Sequence, residues 1–254
     1  MSTTIAISGK GGSGKTTLAS LIIRHLVERS AGSVLAVDAD PNACLGLALG
    51  LEPETTIGDL CDRTLEGELS GAPGMSRPRA FEYAIHRAVA EAKGFDLLVM
   101  GHTEGPKCYC AVNHLLRSYL DSASRDYRFV VLDCEAGMEH LSLRTTTGVE
   151  FLLIATEATV VGARTAERIL GLSERLPIAV GQRRVLWNKV PASGALPPDA
   201  ERLPSAGTVP YDPAVADLAA RGGTIFELPA EAPACRAIAL TVTELLGAAH
   251  VSAP

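Results

Sequence analysis

Short apolar runs recur along the chain, and segments with helical periodicity separate them. Each run suits one buried strand, and together they predict strands at Ile5–Ser8, Val34–Val37, Phe95–Met100, Phe129–Leu132, Phe151–Ala155, Val185–Trp187 and, more briefly, Thr208–Val209. Apolar residues recur at helical spacing within Thr16–Ser30, Ala163–Leu176 and Pro233–Leu246, which predicts helices there. Strands that are apolar on both faces and alternate with helices are typical of a parallel sheet covered on both sides. The pattern therefore predicts an α/β fold whose mostly parallel sheet has about seven or eight strands.

Length, composition and charge limit the domain organisation, the binding partners and the cell compartment that we expect. The 254 residues predict one large domain over residues 1–254 with a full core. Glu66–Arg79 and Pro191–Pro204 are rich in turn-forming residues and predict irregular surface segments. A net charge of −6 argues against nonspecific binding to nucleic acid or to an anionic membrane. The N-terminus has no basic or cleavable apolar segment, so we expect a cytoplasmic protein with reduced cysteines.

A glycine-rich loop, Gly9-Lys10-Gly11-Gly12-Ser13-Gly14-Lys15-Thr16, joins the first predicted strand to the first predicted helix. Glycines let the backbone wrap closely, so that successive N–H groups point at phosphate oxygens. Lys15 supplies a positive charge to the β and γ phosphates, and the hydroxyl of Thr16, which precedes Thr17, is a ligand for Mg²⁺. The strand–loop–helix context therefore predicts a P-loop that binds ATP or ADP with Mg²⁺.

Lys10 is an addition that the general P-loop does not need. With it the loop resembles the deviant version of MinD, ParA and nitrogenase iron proteins, and the resemblance covers nearly the whole chain. It implies a MinD-like P-loop NTPase fold and a homodimer formed with ATP, in which Lys10 reaches the partner's nucleotide. Asp38-Ala39-Asp40-Pro41 matches the family's first switch, so Asp38 is expected to hold a water on Mg²⁺ and Asp40 to orient the attacking water. The expected catalytic residues of this ATPase are Asp40, Lys10 and Lys15.

The same resemblance assigns the rest of the nucleotide site. Asp133 ends an apolar strand like a Walker B aspartate that acts on Mg²⁺ through water, and Gly137 belongs to the second switch. Asn188-Lys189 resembles the strand end that reads adenine, since an amide offers both a donor and an acceptor to the base edge. Pro210-Tyr211 resembles the second wall of that pocket. The aspartate of the guanine-reading motif is missing, because Val190-Pro191 follows Lys189, and this favours ATP over GTP.

The pair Cys108-Tyr109-Cys110 offers two soft ligands, whereas a tetrahedral thiolate site needs four, which a symmetric dimer would supply. Gly-Pro-x-Cys-Tyr-Cys, with the later Glu135–Arg144 segment, resembles CooC-type ATPases, which help to insert nickel into carbon monoxide dehydrogenase and acetyl-CoA synthase. The resemblance implies one Ni²⁺ or Zn²⁺ held by Cys108 and Cys110 of both protomers, with one of those nickel enzymes as the client. His102 and His114 are nearby alternative ligands that the family does not require.

Two other functions of this class are alternatives. A positioning ATPase like MinD or ParA needs a basic membrane helix or a cationic DNA face, but Ala234–His250 carries only Arg236 as a basic group apart from His250. An electron-transfer ATPase like the nitrogenase iron protein holds its cluster with two well-separated cysteines from each subunit. Cys134 is the other candidate near a switch, and it directly follows the Asp133 strand. These features favour metal insertion over both alternatives.

Overall fold

The computed structural model describes residues 2–65, 77–102, 119–120, 126–136, 148–175 and 179–251. Within these ranges, one sheet of eight strands has the order β3-β4-β2-β5-β1-β6-β7-β8. The strands are β1 (Thr3–Gly9), β2 (Val34–Ala39), β3 (Ala90–Ala92), β4 (Phe95–Val99), β5 (Phe129–Cys134), β6 (Gly148–Glu157), β7 (Ala179–Val190) and β8 (Ser205–Pro210). All neighbouring strands are parallel except β3 and β4. The predicted α/β fold with a mostly parallel sheet is confirmed.

Helices accompany the sheet throughout the described ranges. They are α1 (Lys15–Glu28), α2 (Leu45–Leu49), α3 (Ile57–Leu65), α4 (Arg77–Ala88), α5 (Val160–Ser173), α6 (Pro213–Ala220) and α7 (Pro233–Val251). Short 3₁₀ turns lie at Pro198–Arg202 and Ile225–Glu227. Among the helices described here, none combines the length and the apolar character that a membrane span requires.

Several element ends differ from the sequence prediction: β6, β7 and β8 extend beyond the predicted runs at both ends, and α5 covers Val160–Ser173 where the pattern predicts Ala163–Leu176. The apolar pattern predicts a first helix up to Ser30, but α1 ends at Glu28 and Ser30 has a left-handed backbone with φ of 48°. The irregular segment predicted over Glu66–Arg79 ends earlier, because α4 begins at Arg77. Residues 66–76 of that segment lie outside the described ranges.

The edge strand β3 is a strand that the sequence pattern does not predict. It contains only Ala90-Glu91-Ala92, which is too short and too polar to form a recognisable apolar run. It pairs with β4 through a hairpin whose loop is Lys93-Gly94, where Gly94 has φ of 95°. The glycine is a turn signal, but a strand of this length has no periodicity of its own.

The sheet separates two apolar cores. Successive residues of β1 point to opposite faces, so Ile5 and Ile7 pack with Leu18 of α1, whereas Ala6 faces the layer that contains Trp187. All of these residues are fully buried. Burial on both faces explains why the central strands are continuous apolar runs in the sequence. It also holds the carboxyl ends of the strands in fixed positions, where the polar residues described below begin.

Asp212 fixes the start of both C-terminal helices. Its side chain is buried, and Oδ1 accepts a hydrogen bond from the N–H of Ala214 at 3.0 Å, which caps α6. Oδ2 accepts a hydrogen bond from the N–H of Ala234 at 3.1 Å, in the first turn of α7. The first N–H groups of a helix have no partner within the helix, so one buried carboxylate satisfies donors of two helices.

Replacing Asp212 with alanine should destabilise the protein by about 2–4 kcal/mol, because an N-cap and a buried acceptor are lost together. Urea unfolding followed by circular dichroism should show a lower midpoint with an unchanged slope. Asp199→Ala is the matched control, since Asp199 is an exposed carboxylate, and it should change the free energy of unfolding by less than about 0.5 kcal/mol. An Asp212→Ala midpoint equal to that of the wild type would mean that packing alone positions the two helices.

Candidate functional site

Two glycines of the loop between β1 and α1 occupy positions that a side chain would not fit. Gly9 ends β1 with φ of 153°, and a methyl group there would overlap the carbonyl oxygen of Ala155 on β6. Gly14 has φ of 87° and forms the N-cap of α1, and a methyl group there would overlap the side-chain amide of Asn188 on β7. Glycine is therefore required at both positions, because the loop lies directly against the ends of β6 and β7.

Hydrogen bonds fasten the middle of this loop. The N–H of Ser13 donates to the carbonyl of Lys10 at 3.2 Å and closes a turn. The Ser13 carbonyl accepts a hydrogen bond from Asn188 Nδ2 at 2.9 Å, and the Gly12 carbonyl accepts one from Lys189 Nζ at 2.8 Å. The predicted phosphate loop and the predicted base-reading strand end are therefore in direct contact.

Two carboxylates lie side by side at the same edge of the sheet. Asp38 of β2 and Asp133 of β5 are register partners on adjacent strands, and both are buried. The Asp38 carboxylate accepts hydrogen bonds from the N–H of Leu45 at 2.7 Å and from that of Asp40 at 3.1 Å. Among the described residues, no donor with suitable geometry reaches either oxygen of Asp133. One carboxylate is therefore satisfied within the protein and the other is not.

Burial is the largest influence on the pKa values of Asp38 and Asp133. It raises the pKa of Asp38 to about 6, although two backbone N–H groups lower it. It raises the pKa of Asp133 to about 7, although the neighbouring Thr16 hydroxyl and Lys15 ammonium lower it. Burial of a carboxylate whose partners do not offset its desolvation costs stability, and such perturbed groups concentrate at functional sites.

The polar groups at this edge fit a nucleotide bound with Mg²⁺. Both carboxylate oxygens of Asp133 and the hydroxyl of Ser13 are buried and have no hydrogen-bond partner among the described residues. They lie at the P-loop with Thr16 and the buried Lys15, and oxygen atoms are the ligands that Mg²⁺ prefers. Asp133, Ser13 and Thr16 would hold Mg²⁺ there, and the ion would supply positive charge to the bound phosphates.

Asp40 lies at the rim of the site, one residue beyond the end of β2. Its Oδ1 accepts hydrogen bonds from the N–H of Asn42 at 2.9 Å and from the side-chain amide of Asn42 at 2.8 Å. This is an Asx turn across Pro41, and it holds Asp40 half-buried beside Asp38. The turn accounts for the local conformation, and the predicted catalytic role of Asp40 stays a prediction.

Residues 4–225 match the family model of the CobQ/CobB/MinD/ParA nucleotide binding domain. The chain belongs to this family. An uncharacterised ATP-binding protein of Methanocaldococcus jannaschii is 39% identical over 238 residues, which cover 89% of this chain and 91% of that protein. The carbon monoxide dehydrogenase accessory protein CooC of Rhodospirillum rubrum is 30% identical over 247 residues, which cover 91% of each chain. The structure of MinD from Pyrococcus horikoshii with Mg-ADP superposes with a TM-score of 0.72 at 22% identity, covering 100% of this chain and 99% of that chain.

These similarities confirm two predictions made from the sequence. The chain is a P-loop ATPase of the MinD/ParA class, and within that class it is of the CooC type. The likeness to MinD, at 22% identity, shows the fold.

Most of the predicted nucleotide-site residues of this MinD/ParA-family ATPase gather at the carboxyl edge of the sheet. They are Gly9, Lys10, Gly11, Gly12, Ser13, Gly14, Lys15, Thr16, Thr17, Asp38, Asp40, Asp133, Asn188 and Lys189. Pro210 ends β8 at the same edge, and the exposed Tyr211 follows it with its N–H donating to the Val190 carbonyl at 2.8 Å. Their predicted contacts with a nucleotide stay predictions.

The residues predicted for the second switch and for the metal pair lie outside the described ranges. They are Gly137, Cys108, Cys110 and the alternative ligand His114. The other alternative, His102, is described and exposed. Within the ranges that are described, no group of three or more histidine, cysteine, aspartate or glutamate side chains is arranged to hold a metal ion. The nickel or zinc site therefore stays a prediction.

Glu157 is a residue of this site that the sequence patterns do not single out. It ends β6, and its Oε1 accepts a hydrogen bond from Lys189 Nζ at 2.9 Å. Its register partner on β7 is Asn188. The one available signal is its place at the carboxyl end of a strand, which is also where Asp38 and Asp133 lie.

Replacing Asp133 with asparagine should raise the free energy of unfolding of the nucleotide-free protein by about 1–3 kcal/mol at neutral to alkaline pH, because it removes a buried charge whose desolvation outweighs the contributions of Thr16 and Lys15. The same change should weaken the binding of Mg–ATP, since the site loses a carboxylate. Urea unfolding in the presence of a chelator measures the first effect, and titration calorimetry measures the second. Asp40→Asn, at a half-buried and hydrogen-bonded carboxylate, is the control for stability.

The stability gain of Asp133→Asn should depend on pH with a defined sign. The pKa of Asp133 in the folded protein, about 7, exceeds the ordinary value of 3.8, so the folded state binds more protons between these values. Through this group, the nucleotide-free wild type loses stability as the pH rises from about 4 to about 7, and the asparagine variant does not. Its advantage should therefore shrink on acidification. A pH-independent difference, or none, would show that Asp133 is compensated in the empty protein.

Proposed function

We propose that this ATPase is a metallochaperone that dimerises with ATP and helps to insert nickel into carbon monoxide dehydrogenase or acetyl-CoA synthase. The observation that carries the proposal is the 30% identity to the carbon monoxide dehydrogenase accessory protein CooC, which covers 91% of each chain. The similarity to CooC therefore extends over nearly the whole chain and is not limited to the P-loop that all members of the family share.

The cysteine pair supplies the metal-binding chemistry in this proposal. Cys108 and Cys110 each offer a thiolate, a soft ligand that suits Ni²⁺ or Zn²⁺. Two thiolates are too few for a tetrahedral site, and a two-fold axis that brings two protomers together supplies four. The cargo is therefore one metal ion held between two protomers.

A short connection links the nucleotide site to the segment that carries the cysteines. The N–H of Met100, directly after β4, donates to the carbonyl of Asp38 at 2.8 Å. The Met100 carbonyl accepts a hydrogen bond from the N–H of Gly58 in α3, also at 2.8 Å. The chain then runs through His102 towards Cys108. A shift of Asp38 on nucleotide binding would act on the start of this segment, which supports coupling between hydrolysis and metal transfer.

The two lysines of the P-loop have environments that support separate roles. Lys15 is buried at the start of α1, where it meets the phosphates of its own nucleotide, whereas Lys10 is exposed and free to reach a second protomer. Asp40 orients the attacking water from the rim. Asn188 reads the adenine edge beside the loop.

Lys15→Ala should abolish ATP binding, whereas Asp40→Ala should keep ATP binding and slow hydrolysis by about a hundredfold or more, because only the residue that orients the attacking water is lost.

Asp40→Ala with ATP should elute as a dimer in gel filtration, and adding Lys10→Ala should return it to a monomer. Adding Lys93→Ala, at an exposed lysine of the β3–β4 hairpin, is the matched control and should leave the dimer intact. Hydrolysis at the wild-type rate by Asp40→Ala, or a dimer indifferent to Lys10, would contradict these roles.

Titration with Ni²⁺ or Zn²⁺ followed by native mass spectrometry should find about one metal per dimer, and Cys108→Ala or Cys110→Ala should lose it. Binding should weaken as the pH falls, because the thiols must lose their protons to bind. Cys44→Ala, at an exposed cysteine directly before α2, is the control and should keep the stoichiometry. One metal per monomer, or binding untouched by either substitution at the pair, would rule out the shared site.

A further inference from the structure

Lys189 has an unusual backbone conformation at the end of β7. Its φ is 52°, in the left-handed region that residues other than glycine rarely adopt. The pairing of β7 with β8 also shifts register between Trp187 and Val190. Neighbouring residues of a regular strand point to opposite faces, so Asn188 and Lys189 would face apart. The irregularity instead brings both side chains onto the P-loop, and strain of this kind is maintained where geometry is required.

The two side chains hold consecutive carbonyls of the loop. Asn188 Nδ2 bonds to the Ser13 carbonyl at 2.9 Å, and Lys189 Nζ bonds to the Gly12 carbonyl at 2.8 Å. Glu157 accepts a hydrogen bond from the same ammonium at 2.9 Å and forms an ion pair with it. The ammonium therefore lies between a carboxylate at the end of β6 and a peptide oxygen of the P-loop.

These contacts fix the direction in which the loop amides point. In a trans peptide the N–H lies opposite the preceding carbonyl. Because the carbonyls of Gly12 and Ser13 are directed at β7, the N–H groups of Ser13 and Gly14 are turned away from it. The Ser13 N–H closes the turn on Lys10, so the position of Lys10 is tied to the same contacts. Lys189 therefore holds the peptide that closes this turn, and Asn188 holds the next peptide, whose Gly14 N–H is turned away from β7 and can be offered to a phosphate.

We propose that Lys189, oriented by Glu157, is a positioning residue that fixes the phosphate-binding shape of the P-loop. The sequence resemblance places Lys189 with the base pocket, but its hydrogen bonds go to Gly12 and Glu157. Asn188 keeps the predicted role of base reader. The inference rests on the proposed nucleotide site and adds to it a residue that acts on phosphates through the loop.

A ligand without a base tests this role directly. Inorganic tripolyphosphate with Mg²⁺ presents phosphates alone, and its affinity can be measured by displacement of a fluorescent ATP analogue. Lys189→Met removes the ammonium and keeps the length of the side chain. Lys189→Gly also removes it, and glycine accepts the positive φ, so this variant guards against misfolding. Both should weaken tripolyphosphate and ATP by the same factor, about tenfold or more, and leave the ratio of ATP to GTP affinity unchanged.

Three further variants sharpen the result. Lys189→Arg keeps a cation and should restore part of the affinity, and Glu157→Gln should cause a smaller loss in the same direction. Arg221→Met is the matched control, because it breaks an exposed ion pair, to Glu227, that joins α6 to the neighbouring 3₁₀ turn. It should bind both ligands like the wild type.

The outcomes separate this inference from the proposed function. Lys189 variants that keep tripolyphosphate affinity but lose the preference for ATP over GTP would make Lys189 a base reader and overturn the inference alone. A wild type that binds ATP but not tripolyphosphate would also overturn it, since the loop would then not be shaped for phosphates in advance. A wild type that binds neither ligand would overturn the nucleotide site itself.

Discussion

Two buried carboxylates held side by side at one edge of the sheet are the constraint on which this molecule depends. Parallel pairing places Asp38 and Asp133 at the same level of adjacent strands, and the apolar layers on both faces of the sheet bury them. Two backbone N–H groups donate to Asp38, whereas Asp133 has only the neighbouring Thr16 hydroxyl and Lys15 ammonium, and burial still raises its pKa to about 7. Burying this carboxylate costs stability, and a ligand that supplies positive charge there stabilises the protein by mass action. The predicted role of Asp133 at Mg²⁺ would therefore link fold stability and nucleotide binding through one side chain.

The P-loop follows β1, the strand next to β5, and so lies beside this pair of carboxylates. On its other side it contacts the ends of β6 and β7. Gly9 lies against β6, and Gly14 lies against the side-chain amide of Asn188. Asn188 and Lys189 donate hydrogen bonds to the carbonyls of Ser13 and Gly12 in the same loop. A loop that is already shaped by its surroundings loses less conformational entropy when a phosphate binds. In the inference drawn from Lys189, the ends of β6 and β7 contribute to phosphate affinity through the loop.

The sequence predicts the strands and the loop well because both depend on local patterns. Burial on both faces of the sheet produces apolar runs, and the close approach of the loop to Ala155 and Asn188 requires glycine. Both the strands and the loop can therefore be recognised from residues that are adjacent in the sequence. The three-residue strand β3 cannot be recognised in this way, since it is too short to show an alternation of apolar and polar residues. The bond from Lys189 to Gly12 joins residues far apart in the chain, and the second hydrogen bond of Asp212 does the same, so no local pattern encodes them. A capping residue can be recognised in the sequence, but the second helix that it serves cannot.

In the proposed mechanism, Asp38 is the point from which nucleotide binding acts on the segment after β4. Its carboxylate accepts from Leu45, which begins α2, and its carbonyl accepts from Met100, which follows β4. A displacement of Asp38 therefore acts on two elements at once, each through a single hydrogen bond, and needs no long chain of intermediates. The backbone contact to Met100 does not depend on which side chains follow in the sequence. An ATPase of this architecture can therefore keep the P-loop and both carboxylates while the segment after β4 changes, and that segment is where this chain carries its cysteine pair.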